Sequence, residues 1–247
     1  MESVSHENIN FEKMLFEEAK KNNIILDNDQ INKFIKYKEL LKEWNNKINL
    51  TAITEDKQIL MKHFIDSLEV VKYINKNSNV IDVGTGAGFP GIVIAIYFKG
   101  DIKITLIDAL NKRIDFLEEV IKELNLLNIE IVHARAEEFG QKEKYRESYD
   151  YALSRAVAPL NILLEFDIPF IKVGGKCLLL KGTKLNEEIQ ESNKALEVLN
   201  SKITNIYKYN YILDGEKYNR NIVEITKEKE TPNKYPRNYG KIKKSPL

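Results

Sequence analysis

The residues whose types and spacing could do chemistry are concentrated between positions 80 and 113. An apolar run, Val80-Ile81-Asp82-Val83, leads into Gly84-Thr85-Gly86-Ala87-Gly88-Phe89-Pro90-Gly91. Glycine at every second position permits φ > 0 and lets a ligand approach the backbone N–H groups closely, while Pro90, with φ preset and no donor to lose, suits the first turn of a following helix. The glycines read in two registers. Gly86, Gly88 and Gly91 make G-x-G-x-x-G, in which a pyrophosphate rests on a helix N-terminus. In the other register Asp82 stands two residues ahead of Gly84, Gly86 and Gly88, and a carboxylate pointing over the turn would repel a pyrophosphate but welcome a cationic amino acid. S-adenosylmethionine carries such an ammonium and no phosphate. A second apolar run, Ile102 to Ile107, ends in Asp108, placed to accept both hydroxyls of a ribose; hydrogen bonds to a charged group are worth about 1.5–3 kcal/mol each.

Such residues need strand ends to hold them. From Ser78 onward short apolar strands alternate with helices: strands at 80–83, 102–107, 129–133, 149–154 and 176–181, helices at 90–98, 111–124 and 158–167. That periodicity predicts a mostly parallel α/β sheet with helices on both faces and the ligand at the carboxyl ends of the strands, near the switch point. A further helix is expected over 184–199, and a closing strand pair over 202–213 and 221–227. The first 75 residues read as helices: Ile31, Phe34, Ile35, Leu41, Trp44 and Ile48 recur near the 3.6 period, as do Ile59, Leu60, Phe64, Leu68 and Val71 after a cap at Thr54. Trp44 is expected in the core, with Asn45 and Asn49 as local backbone caps. The division that follows is a helical extension packed on the core (1–75), a ligand-binding core (76–230) and a basic tail (231–247).

At 247 residues, 43% hydrophobic and 30% charged, the chain can bury a sizeable core. No run reaches the roughly 18–20 apolar residues of a spanning helix, and the opening Met1 to Glu7 is polar and acidic, so a cytoplasmic protein without a membrane partner is expected. Cys177 is the sole cysteine and lies in an apolar strand, where an inert core role is expected; with only His6, His63 and His133 beside it, no metal site is expected. Net charge is +1, but Thr231 to Leu247 holds Lys234, Arg237, Lys241, Lys243 and Lys244 and no acid, leaving −4 on residues 1–230. Pro232, Pro236, Pro246 and Gly240 argue against a helix there and against much burial. Tyr235 and Tyr239 among the cations suit contact with phosphates and exposed bases.

The chain resembles the bacterial RsmG family, also called GidB, along nearly its whole length. The matching segments are Trp44-Asn45 with Asn49-Leu50-Thr51-Ala52; His63-Phe64-Ile65-Asp66-Ser67-Leu68; the glycine turn with Phe89-Pro90-Gly91; Asp108-Ala109-Leu110-Asn111-Lys112-Arg113; and Arg135-Ala136-Glu137. They continue through Ser154-Arg155-Ala156-Val157-Ala158-Pro159-Leu160, Lys181-Gly182, Lys234-Tyr235-Pro236-Arg237 and Lys244-Ser245-Pro246. The turn alone would indicate only a class I, Rossmann-like methyltransferase; the Ser154–Ala158 segment and the tail narrow it to this family. The resemblance implies transfer of a methyl group from S-adenosylmethionine to N7 of a guanine in the 530 loop of 16S ribosomal RNA, position 527. It also implies that Gly84, Phe89, Ala136, Glu137 and Arg155 line the cofactor pocket.

The residues are compatible with that chemistry. The Asp/Asn-Pro-Pro-aromatic motif of exocyclic amine methylation is absent, its place being taken by Ser154-Arg155-Ala156-Val157. Guanine N7 presents an unprotonated lone pair in the ring plane, so no general base is obligatory and the rate can come from alignment and desolvation. The expected cofactor set is Asp82, Gly84, Gly86, Gly88, Phe89, Asp108, Ala136, Glu137 and Arg155, with the glycine turn at the methionine end, Asp108 at the ribose and Ala136-Glu137 at the adenine. Arg155 is expected at the mouth, facing the cofactor carboxylate, an RNA phosphate, or a salt-bridge partner in Asp82 or Glu137. His63 and Asp66, three apart on a helix, are either substrate-orienting or joined by a mutual hydrogen bond. Lys112, Arg113, Arg135, Lys181, Lys234, Arg237 and Lys244 form the expected RNA-facing patch, and the partner is 16S rRNA or the small subunit, met by a monomer. Two rival functions stay open: a nicotinamide-dependent oxidoreductase using the other glycine register, and a non-enzymatic rRNA-binding or ribosome-assembly protein.

Overall fold

The computed structural model describes residues 6–247; Met1 to Ser5, the first part of the polar opening, lie outside the described residues. Two long helices come first, α1 (His6–Lys21) and α2 (Asn28–Ile48). The Asp27 side chain caps α2 by accepting from Gln30 N while the Gln30 side chain accepts from Asp27 N, and Asn49 ends it in the left-handed conformation. A continuous helical stretch follows, made of α3 (Asp56–Ile59), a π-helical turn (Leu60–Ile65), α4 (Asp66–Leu68) and a 3-10 turn (Glu69–Tyr73). Its N-cap is Glu55, with no side-chain cap, rather than the expected Thr54.

The sheet contains β1 (Asn79–Val83), β2 (Lys103–Asp108), β3 (Ile129–His133), β4 (Tyr149–Arg155), β5 (Ile171–Lys181), β6 (Ser201–Leu213) and β7 (Glu216–Lys227) in the order β3-β2-β1-β4-β5-β7-β6. The first five are parallel, β7 runs antiparallel to β5, and β6 to β7. Between the strands lie α5 (Gly91–Phe98), α6 (Asn111–Glu123), α7 (Ala136–Phe139), α8 (Leu160–Asp167) and a 3-10 turn (Ile168–Phe170). This is the doubly wound, Rossmann-like α/β sheet the periodicity called for, with its switch point between β1 and β4. The predicted 184–199 helix is broken at Ser192 into α9 (Leu185–Glu191) and α10 (Asn193–Val198). The closing hairpin is longer than predicted. Asp214 and Gly215, both at positive φ, form a two-residue turn, and the polar run 216–220 joins β7 because β6 pairs with it.

The two sheet faces bury different partners. On one, Val80, Leu106, Leu153 and Leu178 pack with α1, α2, α5, α6 and the 56–73 stretch; on the other, Ile81, Ile107, Ala152 and Leu179 pack with α7, α8, α10 and the chain's C-terminal segment. Cys177 is fully buried in β5.

That C-terminal segment corrects the sequence reading. It does bury residues, Thr231, Tyr235 and Ile242 among them, and it carries a helix, α11 (Tyr239–Lys244), capped by the Asn238 side chain. Asn238 supplies the N-cap that the prolines and Gly240 were expected to preclude, and all the prolines lie outside the six helical residues. Arg237 is not free for RNA. Its Nε and a terminal nitrogen bond the Glu165 carboxylate at 2.7–3.1 Å, and its backbone N–H donates to the same fully buried group. Breaking a buried pair leaves an uncompensated charge, and truncating a core isoleucine leaves a cavity. Arg237→Ala should therefore lower unfolding stability by about 3–5 kcal/mol and Ile242→Ala by about 2–5 kcal/mol in urea titrations. A segment that merely solubilises would show neither loss.

Candidate active site at the carboxyl ends of the strands

The glycine turn is fastened from below. Asp82, at zero exposure, sits under the turn rather than over it, accepting from the Thr85 hydroxyl at 2.6 Å and from Gly91 N–H at 2.8 Å. Gly91 is compulsory there, since a Cβ would lie 2.2 Å from a Leu106 methyl and 2.7 Å from the Asp82 carboxylate. Pro90 is the cap preceding α5, one residue earlier than the expected first-turn position. Only one Asp82 oxygen is used; Oδ1 is buried without a hydrogen-bond partner. Burial pushes this carboxyl up to about 6.

Asp108 closes β2 beside the turn, 4% exposed. It accepts from Gly86 N–H and Leu110 N–H, each at 2.9 Å, and from Arg113 at 3.1 Å. The Arg113 guanidinium, expected on an RNA-facing rim, thus holds this acid in place. Gly86, at φ 62, has no atom closer than 4.0 Å to where a Cβ would stand, so the space over the turn is open there. Gly84 is covered instead: Val157 approaches its Cβ position to 2.8 Å. Ala136 and the buried Glu137 open α7 after β3, beside a cavity of about 520 Å³ shared with Arg135, Arg237 and Tyr239.

Arg155, the last residue of β4, does not reach Asp82 or Glu137. It donates to the Lys62 carbonyl at 2.6 Å, to Asp66 at 3.2 Å and to His63 Nδ1 at 3.0 Å, and it lies 5.0 Å over the Phe89 ring. The π-helical turn widens the helix at Lys62 and His63, and the Lys62 carbonyl is bonded by Arg155. His63 and Asp66 are therefore not joined to each other; the guanidinium stands between them. Arginine can only donate, so His63 Nδ1 accepts and Nε2 carries the proton, given to the Thr51 hydroxyl at 3.1 Å. The ring stacks on Phe89 at 4.4 Å. Asp66 in turn accepts from the Tyr209 hydroxyl at 2.8 Å and faces Arg220 at 3.6 Å.

Three of the expected surface cations differ in state. Lys181 is buried, bonded to Glu188 and the Ala158 carbonyl at 2.6 and 2.8 Å, and so is no rim contact. Lys112 is exposed and reaches the Ile48 carbonyl, while Arg135 packs over Tyr239. Lys234 and Lys244 remain exposed. Sequence reasoning missed Lys62, Tyr209 and Arg220. Only the alternation of Tyr207, Tyr209 and Tyr211 hinted at a facing row, and nothing local marked the other two. Among the described residues no cluster of His, Cys, Asp or Glu is arranged to hold a metal, and no helix is long and apolar enough to cross a membrane.

A sequence model of the GidB family, described as rRNA small subunit methyltransferase G, matches residues 30–223. The chain belongs to the GidB family. It is 50% identical over 236 residues to the ribosomal RNA small subunit methyltransferase G of Acetivibrio thermocellus, covering 95% of this chain and 96% of that one. Among solved structures, a SAM dependent methyltransferase from Aquifex aeolicus superposes with a TM-score of 0.51 at 18% identity, over 70% of this chain and 94% of that one. M. jannaschii TYW2, in complex with AdoMet, gives 0.52 at 16% identity, over 66% and 74%. These two likenesses establish the fold; the family rests on the sequence match.

Burial first, and then the Arg155 charge, push the His63 imidazole down from 6.5 to about 3. The unfolded chain takes up this proton as pH drops below about 6.5 and the folded chain does not, so stability from His63 is complete above 6.5 and withdrawn toward pH 3. Asp82 acts oppositely, returning some stability as it protonates between about 6 and its ordinary 3.8. His63→Gln cannot titrate, so between pH 7 and pH 4 its melting temperature should rise relative to that of the wild type. A difference between the two proteins that stays constant over this range would contradict the neutral, arginine-bonded histidine.

Proposed function

We propose that this protein transfers a methyl group from S-adenosylmethionine to N7 of a guanine in the 530 loop of 16S rRNA, position 527, working as a cytoplasmic monomer on the RNA or the small subunit. The family match over residues 30–223 carries the reading. The residues present fit the cofactor: the backbone at Gly86 is open, and Asp108 retains a lone pair beyond its three donors.

When bound, the cofactor supplies an electrophilic sulfonium methyl. The backbone of Gly84, Gly86 and Gly88, held from beneath by Asp82, would bind its amino-acid end, Asp108 the ribose, and Ala136 with Glu137 the adenine, while Arg155 and Phe89 border the pocket from the extension side. Guanine N7 needs no proton removed, and the site is built accordingly. Both His63 nitrogens are engaged, and Asp66 and Glu188 are each bonded to donors. What these residues do is position and exclude water, which is where the rate of such an alkylation lies.

Three measurements test this. Asp108→Asn should weaken S-adenosylmethionine by about 10- to 150-fold in calorimetry while the protein stays folded; an unchanged dissociation constant would remove Asp108 from the ribose role. S-adenosylhomocysteine, but not NAD, should raise the melting temperature. Label from the cofactor should enter 16S RNA and vanish when the target guanine is 7-deazaguanine, which replaces the attacking nitrogen by C–H. Label entering the 7-deaza RNA would rule out N7.

A further inference from the structure

Beside the covered Gly84, between the carboxyl ends of β4 and β5, the 60–65 turn and β7, lies a cavity of about 560 Å³. Lys62, Arg155, Lys181 and Arg220 line it against two carboxylates, Asp66 and Glu188. The four cations are not equally employed. Arg155 and Lys181 are satisfied at 2.6–3.2 Å. The best acceptor on Lys62 Nζ is Gln58 at 3.5 Å, and Arg220 has the Tyr211 hydroxyl at 3.4 Å and Asp66 at 3.6 Å. These distances lie beyond those of good hydrogen bonds. Lys62 and Arg220 nevertheless share one ring, lying 5.2 and 5.9 Å from the Tyr218 centroid. Two cations brought together from positions 62 and 220, with charge-assisted bonding capacity unspent, make a site for a doubly bonded oxyanion.

We infer that this cavity seats a nucleotide of the RNA strand, with Lys62 and Arg220 gripping its backbone phosphate. The inference rests on the proposed RNA substrate and adds to it a place and two residues. Val157 lines the cavity and also packs over Gly84, so the strand seated here abuts the glycine turn across the single segment 155–158. Ala156 within that segment is held at φ 57, a left-handed conformation uncommon for alanine, which turns the chain back between the two spaces. The cavity is too large for a phosphate alone and leaves room for the sugar and base of the same nucleotide.

The test uses full-length protein, a 16S RNA fragment carrying the 530 loop, and S-adenosylhomocysteine. Lys62→Gln and Arg220→Gln should each weaken RNA binding about tenfold and flatten the dependence of log K on log salt by about 0.7 per residue. Their effects should appear in KM for RNA, with the S-adenosylmethionine KM and the melting temperature near wild type. Arg220→Lys should recover part of the slope, and it carries the test together with Lys62→Gln if Arg220→Gln fails to fold. Folded variants with wild-type slope and affinity would overturn the cavity assignment alone. A wild-type protein that neither binds nor methylates the RNA would overturn the RNA reading itself.

Discussion

The guanidinium of Arg155 is the point at which the sheet, the helical extension and the C-terminal hairpin meet. It leaves the end of β4 and bonds a carbonyl, an imidazole and a carboxylate, all from residues 62–66. Asp66 passes the connection to Tyr209 on β6 and Arg220 on β7. A half-buried cation with those partners fixes the position of the π-helical turn, the tautomer of His63 and one wall of the cavity together. None of them can move alone, because each would leave a buried polar group unpaired.

A second fastening holds the other half of the site. Asp82 ties both ends of the glycine turn, through Thr85 and Gly91, and Asp108 ties its middle, through Gly86. Two carboxylates thus shape a loop that contains no cation, using hydroxyl and backbone N–H donors. Between the two fastenings runs 155–158, which belongs to both spaces. The division suits a methyl transfer, in which donor and acceptor must be aligned.

The sheet keeps its two ends of chain on opposite faces. The helical extension covers the α5 and α6 side, and the C-terminal segment covers the α8 side. The charge of that segment is consequently divided: Arg237 is drawn inward to Glu165, and Lys234, Lys241, Lys243 and Lys244 stay outside. Its composition was legible as basic, but composition does not say which cation meets a buried acid.

Local pattern by itself determined a great deal. Strand order along the chain, the helices between the first parallel strands, the parallel core, the glycine turn with Asp82 and Asp108 at consecutive strand ends, and the burial of Cys177 all follow from apolar periodicity and from residue types whose effects act within a few positions. Tertiary structure alone decided what lies between distant segments: that Asp82 faces under the turn, that Arg155 stands between His63 and Asp66, that Lys181 and Arg237 are spent on internal acids, and that Lys62 and Arg220 face one cavity. Those contacts join residues far apart in the chain, such as Asp66 with Tyr209 at a separation of 143. Side-chain direction there is set by packing of whole elements, and a sequence read through local propensity carries no information on it.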